Sequence, residues 1–139
     1  MDTVWGTSVA IDGRGVLLRG PSGAGKSDLA LRLIDGGAAL IADDQTELVR
    51  EGASLVARAP EAIAGQLEVR GVGIVPVPST VRAPLVLVVD LLPPEQVPRH
   101  PDPGAWRHLG VSVPLIGLAA FEASTPAKLR LAVKRVLSK

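Results

Sequence analysis

The sequence contains no cysteine and very few aromatic side chains, and each absence excludes a class of structure. Without cysteine, neither disulfides nor thiolate metal sites can form. Tyrosine is also absent, and only one phenylalanine and two tryptophans occur. The hydrophobic core must therefore consist mainly of leucine, valine, isoleucine and alanine.

A strong charge of one sign and long apolar runs are lacking as well. The formal net charge of +1 gives no general attraction for nucleic acid or for an anionic membrane, so we expect neither as a partner. The longest purely aliphatic run, residues 85–89, is far shorter than the ~20 residues that span a bilayer. The amino terminus lacks the basic and apolar regions of a signal peptide. We therefore expect a soluble protein of the cytoplasm.

The chain has enough apolar residues for one core. Its 139 residues, of which 47% are apolar, fit one domain over residues 1–139 and leave little room for a second. Apolar patterning predicts β-strands at residues 4–11, 15–19, 39–42, 46–50, 54–58, 67–77 and 85–91. Because so many short strands argue against a purely parallel sheet, we predict an α/β fold with a mixed sheet.

Two helices and one surface loop complete the predicted architecture. Apolar residues at helical spacing indicate a helix over residues 27–35, which Gly36 and Gly37 end. Residues 93–103 include five of the twelve prolines and are predicted to form a surface loop. A second helix begins at residues 124–126, where a hydroxyl cap precedes a proline in the first turn. Its buried stripe is predicted to be Leu129, Ala132, Val133 and Val136.

The most informative segment is a complete phosphate-binding loop, or P-loop. It consists of Gly20, Pro21, Ser22, Gly23, Ala24, Gly25, Lys26 and Ser27. The glycines allow the backbone amides to point inward at the start of the following helix, where they attract anions. The lysine can reach the β- and γ-phosphates of a nucleotide, and the serine hydroxyl is suited to holding Mg²⁺. This pattern, placed between a strand and a helix, predicts binding of the phosphates of a nucleotide together with Mg²⁺.

An enzyme with a P-loop also needs a carboxylate near the transferred phosphate, and two places compete for this role. Asp90 lies at the end of the aliphatic strand 85–91, as the acid of an ordinary Walker B strand does. Asp43 and Asp44 follow the strand 39–42, directly after the P-loop helix. The sequence favours the pair but leaves Asp90 open.

Three segments together resemble the catalytic domain of HPr kinase/phosphorylase. They are residues 20–34, which include the P-loop, residues 40–44, which read Leu-Ile-Ala-Asp-Asp, and residues 67–74, which read Leu-Glu-Val-Arg-Gly-Val-Gly-Ile. The resemblance covers roughly residues 4 to 120. The chain looks like the short, single-domain members of that family, which lack an extra amino-terminal domain.

The resemblance implies an ATP-dependent kinase that phosphorylates a serine of HPr, the small carrier protein of the sugar phosphotransferase system. It also implies a reverse phosphorolysis, in which inorganic phosphate attacks phosphoserine and gives pyrophosphate. A homo-oligomer, hexameric in the family, would be the working form.

The resemblance also implies roles for individual residues. Lys26 would bind phosphate and Ser27 would hold Mg²⁺, with Glu68 as a second ligand of the metal. Asp44, beside Asp43, would accept the proton of the serine hydroxyl. Arg99 falls near the family's catalytic arginine, with Arg107 as a rival. The segment that would line the site consists of Leu67, Glu68, Val69, Arg70, Gly71, Val72 and Gly73.

Two departures from the family pattern keep other functions open. Trp5 stands where the family has a histidine, and tryptophan cannot carry a proton. The resemblance also weakens after Pro114, before a helix with basic residues at Lys128, Arg130, Lys134 and Arg135. One alternative is therefore a small-molecule kinase or nucleotide hydrolase that uses Asp90. Another is a nucleotide-binding regulatory module without turnover.

Overall fold

The fold is built on a mixed β-sheet, seen in the computed structural model, which describes residues 1–138. Its nine strands are β1 (Asp2–Trp5), β2 (Thr7–Ile11), β3 (Arg14–Arg19), β4 (Ala39–Ala42), β5 (Gln45–Glu51), β6 (Ser54–Arg58), β9 (Arg82–Leu91), β10 (Gly104–His108) and β11 (Val111–Leu118). A separate hairpin is formed by β7 (Gln66–Val69) and β8 (Gly73–Pro76). The helices are α1 (Lys26–Asp35) and α2 (Thr125–Leu137), with short 3₁₀ turns at Glu61–Ile63 and Pro94–Gln96. The predicted α/β class, with a mixed sheet and these two helices, is confirmed.

Strand β9 is the centre of the sheet and has parallel neighbours on both sides. It pairs in parallel with β3 and with β11, while the start of β9 pairs with β6 in antiparallel fashion. Along the sheet the strands follow the order β1-β5-β6-β9-β3-β2-β4, and β10 joins the sheet through β11. The carboxyl ends of β3, β9 and β11 consequently lie at one edge of the sheet. The P-loop follows β3 at this edge.

Side chains that alternate along the central strands divide the core between the two faces of the sheet. Leu87 and Val89 of β9 belong to the cluster that contains the buried residues of both helices, whereas Val88 belongs to the cluster on the other face. Helix α1 buries Leu29 and Leu33 completely. Each such leucine stabilises the fold by about 1.5–3 kcal/mol relative to an exposed one. This packing fixes α1, and with it the P-loop, against the sheet.

The predicted strand 4–11 is in fact two strands, divided at Gly6. Strand β1 pairs with β5, whereas β2 pairs with β3 and β4. A Cβ atom on Gly6 would lie 2.8 Å from Leu17 Cδ1 and 2.9 Å from the Leu18 carbonyl oxygen, so only glycine fits where the chain changes partners. The apolar pattern of the sequence runs through this break and does not reveal it.

The β10–β11 hairpin was not predicted from the sequence. Its turn is made by Leu109 and Gly110, whose φ angles of 49° and 77° suit a two-residue hairpin turn. Pro114 lies inside β11, whereas proline within a sequence argues against a regular strand and is usual only at edges or interruptions. The sequence therefore did not indicate a strand here. The other predicted strands are found at or within a few residues of their expected bounds, and residues 67–77 form the β7–β8 hairpin.

Helix α2 begins at the expected residues, but the expected hydroxyl cap at its amino terminus is not formed. Ser124 makes no side-chain capping bond. The buried Thr125 hydroxyl instead donates to the Ala119 carbonyl oxygen. Leu129 and Val133 are buried, and Arg130 donates to the Leu33 carbonyl oxygen at 3.0 Å, which ties α2 to α1. Neither helix within residues 1–138 has the length and apolarity needed to cross a membrane.

This arrangement predicts different costs for two adjacent hydroxyls. Thr125→Val keeps the shape but leaves a buried carbonyl without its donor, so the free energy of unfolding should fall by about 1–3 kcal/mol. Ser124→Ala should change it by less than about 0.5 kcal/mol, as for other surface substitutions. Urea denaturation followed by circular dichroism measures both. Equal losses for the two variants would show that Ser124 caps the helix after all.

Candidate active site

The P-loop lies between the end of β3 and the first turn of α1. Gly23 and Gly25 have φ angles of 83° and 100°, in the left-handed region that favours glycine. Gly25 is the residue before the helix, and its carbonyl accepts the first helical hydrogen bond from Leu29 at 2.9 Å. The free amides of the first turn of α1 thus adjoin the loop, as an anion site requires.

The Lys26 side chain folds back over the P-loop. Its Nζ donates to the Gly20 carbonyl oxygen at 2.6 Å and lies 3.4 Å from the Pro21 carbonyl oxygen. The ammonium group therefore lies beside the loop that carries the amide donors. A positive charge and backbone donors together form a site suited to the phosphates of a nucleotide.

The buried carboxylate of Asp43 joins the P-loop helix to three strands. Ser27 Oγ donates to Asp43 Oδ1 at 2.7 Å, and Thr7 Oγ1 donates to the same oxygen at 3.1 Å. The Glu68 backbone amide donates to Oδ2 at 3.0 Å. Asp43 is only 9% exposed, so these bonds provide most of its solvation. They fix the positions of α1, β2, β4 and β7 relative to one another.

Asp44 is the next residue in the chain, but its environment differs. Its φ angle is 65°, a left-handed conformation that aspartate tolerates better than most residues. Its amide donates to Thr7 Oγ1 at 3.1 Å, and its carbonyl accepts from Gly6 at 2.8 Å. The side chain is exposed, and within residues 1–138 no hydrogen bond or ion pair engages its carboxylate. Asp44 is therefore free to act on a ligand.

The P-loop and both aspartates border one cleft of about 450 Å³. Of the segment 67–73, three residues line the cleft, namely Glu68, Val69 and Arg70. Leu67 is instead fully buried in the core below it. Gly71, Val72 and Gly73 lie at the tip of the β7–β8 hairpin, outside the lining of this cleft.

The structure does not bring Arg99 into the cleft. It lies exposed in the segment that leads from the second 3₁₀ turn to β10, and β10 pairs only at the far side of β11. Arg107, the rival candidate, lies exposed on β10 itself. The arginine that lines the cleft is Arg70, which belongs to the segment 67–73 and is not one of the arginines predicted to be catalytic.

Asp90 is engaged on the other face of the sheet. Arg19 Nε donates to Asp90 Oδ1 at 2.7 Å and Arg19 Nη2 to Oδ2 at 3.0 Å. The neighbouring residues in β9, Val89 and Leu91, point into the helix-side core, so Asp90 points away from it. The Arg19 guanidinium also lies 5.2 Å from the centre of the Trp106 ring. This geometry removes Asp90 from the phosphate site and with it the support for the Walker B alternative.

Trp5 lies near the aspartates but outside the cleft lining. It ends β1 and pairs with Gln45, the residue after Asp44. Its side chain is 70% exposed. The position that the resemblance reserves for a histidine is therefore at the rim of the site.

The oxygen ligands at the cleft suit Mg²⁺. Ser27 Oγ and Asp43 Oδ1 are 2.7 Å apart, and Glu68 lines the same cleft. Among the described residues no group of three or more acidic, histidine or cysteine side chains is positioned to hold a metal. Magnesium does not need such a group, because it is usually held by one or two carboxylates together with water and substrate phosphates.

Curated relatives resemble this chain in sequence. An HPr kinase/phosphorylase from Chlorobium limicola is 40% identical over an alignment of 129 residues that covers 84% of this chain and 39% of that protein. An HPr kinase/phosphorylase from Clostridium acetobutylicum is 45% identical over 76 residues, which are 55% of this chain and 25% of that protein. The chain thus spans 25% to 39% of the length of these two relatives.

A solved structure and a family profile agree with these relatives. The chain of the Hpr(Ser) kinase/phosphatase from Coxiella burnetii superposes with a TM-score of 0.86 and 28% sequence identity, over 97% of this chain and 90% of that one. The profile of the HPr Serine kinase C-terminal domain matches residues 1–86, more than half of the sequence. This match includes the P-loop, both aspartates and the β7–β8 hairpin. The chain therefore belongs to the HPr serine kinase C-terminal domain family.

Proposed function

We propose that this chain is a serine protein kinase that binds ATP with Mg²⁺ and phosphorylates an HPr-like phosphocarrier protein. The observation that carries the proposal is the hydrogen bond between Ser27 of the P-loop and Asp43. It places a phosphate-binding loop next to a pair of acids, one of which, Asp44, is free. Relatives named for the same activity support the choice of substrate.

In the forward reaction the serine oxygen of the carrier attacks the γ-phosphorus of ATP. The bond from that phosphorus to the β–γ bridging oxygen breaks, which leaves ADP, and the hydroxyl proton passes to Asp44. Because a serine hydroxyl is a weak nucleophile, such a base contributes about 10²–10⁴-fold to the rate. The exposure of Asp44 allows a protein substrate to reach it.

The other residues of the cleft bind and orient the phosphates. Lys26 and the P-loop amides would neutralise the β- and γ-phosphates, and Arg70, which lines the cleft, would stabilise charge on the transferred group. Ser27, Asp43 and Glu68 would hold Mg²⁺, which when bound offsets the negative charge that develops on the phosphates. In the phosphorolysis, an oxygen of inorganic phosphate would attack the phosphorus of phosphoserine and form pyrophosphate. The bond from that phosphorus to the serine oxygen would break, and protonated Asp44 would give its proton to the departing serine oxygen.

The partner and assembly proposals depend on the surface around the cleft. Val72 and Ile74 of the β7–β8 hairpin are 73% and 67% exposed, beside the residues that line the cleft. Exposed apolar side chains at this place suit the docking of a carrier protein. A cytoplasmic location and a homo-oligomer, hexameric by family resemblance, remain predictions.

A second candidate function, nucleotide binding without turnover, is favoured by one observation. Trp5, at the rim of the site, cannot exchange a proton where the family pattern has a histidine. Such a module would respond to ATP through the same P-loop and would transfer no phosphate.

Substitution of the free aspartate tests the kinase proposal. Asp44→Asn should lower phosphotransfer from γ-labelled ATP to purified HPr by about 10²–10⁴-fold, because no base remains. ATP affinity should change little, since Asp44 makes no hydrogen bond or ion pair with the P-loop residues 20–27. Asp90→Asn is the matched control, an aspartate exchanged on the other face of the sheet, and should leave the rate of transfer almost unchanged because Asp90 does not line the cleft. The reverse ranking of these two variants would restore the Walker B alternative.

Loss of the P-loop lysine tests nucleotide binding itself. Lys26→Ala should weaken the affinity for Mg²⁺–ATP by about 10- to 150-fold, since a hydrogen bond to a charged group contributes about 1.5–3 kcal/mol. Isothermal titration calorimetry measures the change. Lys134→Ala, on the exposed face of α2, is the control for loss of one positive charge. An affinity that is equal in both variants would place the nucleotide elsewhere.

Restoration of the family's histidine separates the two candidate functions. If the chain is an active kinase, Trp5→His should alter the rate of HPr phosphorylation only moderately. If transfer is detected with Trp5→His and not with the natural sequence, the chain is a binding module. Trp5→Phe controls for removal of the indole, since it cannot exchange a proton either.

A further inference from the structure

A second cavity of about 490 Å³ lies on the other side of the P-loop. It is lined by three segments, residues 21–24, residues 91–94 and residues 119–122. Its volume is within the range of about 300–1,000 Å³ that is usual for small-molecule pockets. Apart from the P-loop residues 21–24, none of the residues that line it has been given a role above.

The three segments share one position in the fold. Residues 21–24 follow β3, residues 91–94 end and follow β9, and residues 119–122 follow β11. These are the three parallel strands, whose carboxyl ends meet at one edge of the sheet. Ligands of open α/β sheets bind in crevices outside the carboxyl ends of such strands. The cavity is therefore at a place suited to a ligand.

The lining suits an apolar planar group and not a phosphate. It consists largely of leucine, proline and alanine side chains with Phe121. Glu122 is the charged residue of the lining, and its carboxylate is paired with Lys128 at 2.9 Å. A phosphate in this cavity would meet a carboxylate and apolar walls, whereas the base of a nucleotide would meet the kind of surface that aromatic ligands prefer.

Phe121 stands at the boundary between the two cavities. It contributes to the lining of both, and its ring is in contact with the P-loop, since a Cβ atom on Gly25 would lie 2.8 Å from Phe121 Cζ. It is the single phenylalanine of the chain and is 68% exposed. Arg32 of α1 donates to the Ala120 and Glu122 carbonyl oxygens and so fixes the backbone on either side of the ring.

We propose that this second cavity is the nucleoside subsite and that Phe121 stacks against the base of the bound nucleoside triphosphate. The inference rests on the proposed function, in which the phosphates lie in the cleft with Lys26 and Ser27. Ser22 and Gly23 line both cavities, so a ligand that passes over the P-loop extends from one into the other. An exposed aromatic ring on a fixed backbone loses little entropy when a base stacks on it.

Two ligands distinguish the nucleoside contact from the phosphate contact. The affinities of Mg²⁺–ATP and of Mg²⁺–tripolyphosphate are measured by calorimetry for the natural chain, Phe121→Ala and Phe121→Trp. Phe121→Ala should weaken ATP by about tenfold, as loss of base stacking does, and change tripolyphosphate by less than about twofold. Phe121→Trp should retain ATP affinity, and ATP but not tripolyphosphate should quench the added indole fluorescence.

Leu131→Ala controls for loss of an exposed apolar side chain, since Leu131 is 64% exposed on α2, and circular dichroism checks that each variant is folded. An unchanged ATP affinity in Phe121→Ala would overturn the subsite and leave the proposed function intact. Equal losses for ATP and tripolyphosphate would also overturn it, because Phe121 would then act only by shaping the P-loop. If the natural chain binds neither ATP nor tripolyphosphate, the proposed function is contradicted, and the subsite with it. A loss seen only in the KM for HPr would assign the cavity to the carrier protein.

Discussion

The candidate site depends on one buried carboxylate, that of Asp43. Asp43 is only 9% exposed, and burial of its carboxylate costs free energy unless hydrogen-bond donors replace the lost water. Two hydroxyls and a backbone amide are those donors. Hydrogen bonds to a charged group contribute about 1.5–3 kcal/mol each, and loss of the acceptor would leave all three donors unpaired. Because Ser27 and Glu68 are among the donors, the P-loop and the β7–β8 hairpin keep one relative position.

The two adjacent aspartates take different roles because the chain turns between them. In an extended strand successive side chains point to opposite faces, but Asp44 has a φ angle of 65°. This left-handed conformation costs about 1–2 kcal/mol for a residue other than glycine. The Thr7 hydroxyl and the Gly6 amide bind the Asp44 backbone and help to hold it there. One acid is thus saturated with donors, while its neighbour stays free for chemistry.

Local features of the site could be predicted from the sequence, and features that depend on pairing could not. The P-loop, α1 and the acids after β4 follow one another within 25 residues, so spacing and glycine placement reveal them. The partner of Asp90 is Arg19, 71 residues away, and only the register of β3 against β9 brings them together. The placement of Arg99 depends in the same way on the unpredicted β10–β11 hairpin. The pairing of strands that are distant in sequence decides which side chains meet on one face of the sheet.

The mixed sheet itself explains why the acids reach the phosphate loop. Strand β2 is antiparallel to both β3 and β4, so β3 and β4 run in the same direction with β2 between them. Their carboxyl ends, which lead to the P-loop and to Asp43, consequently lie at the same edge, one strand apart. The residue that begins β2 at this edge is Thr7, and its hydroxyl bridges Asp43 and the Asp44 amide. Because β2 runs opposite to β3 and β4, its first residue lies at the edge where those two strands end. In a purely parallel sheet the first residue of β2 would lie at the other edge, and this hydrogen-bonded connection would be absent.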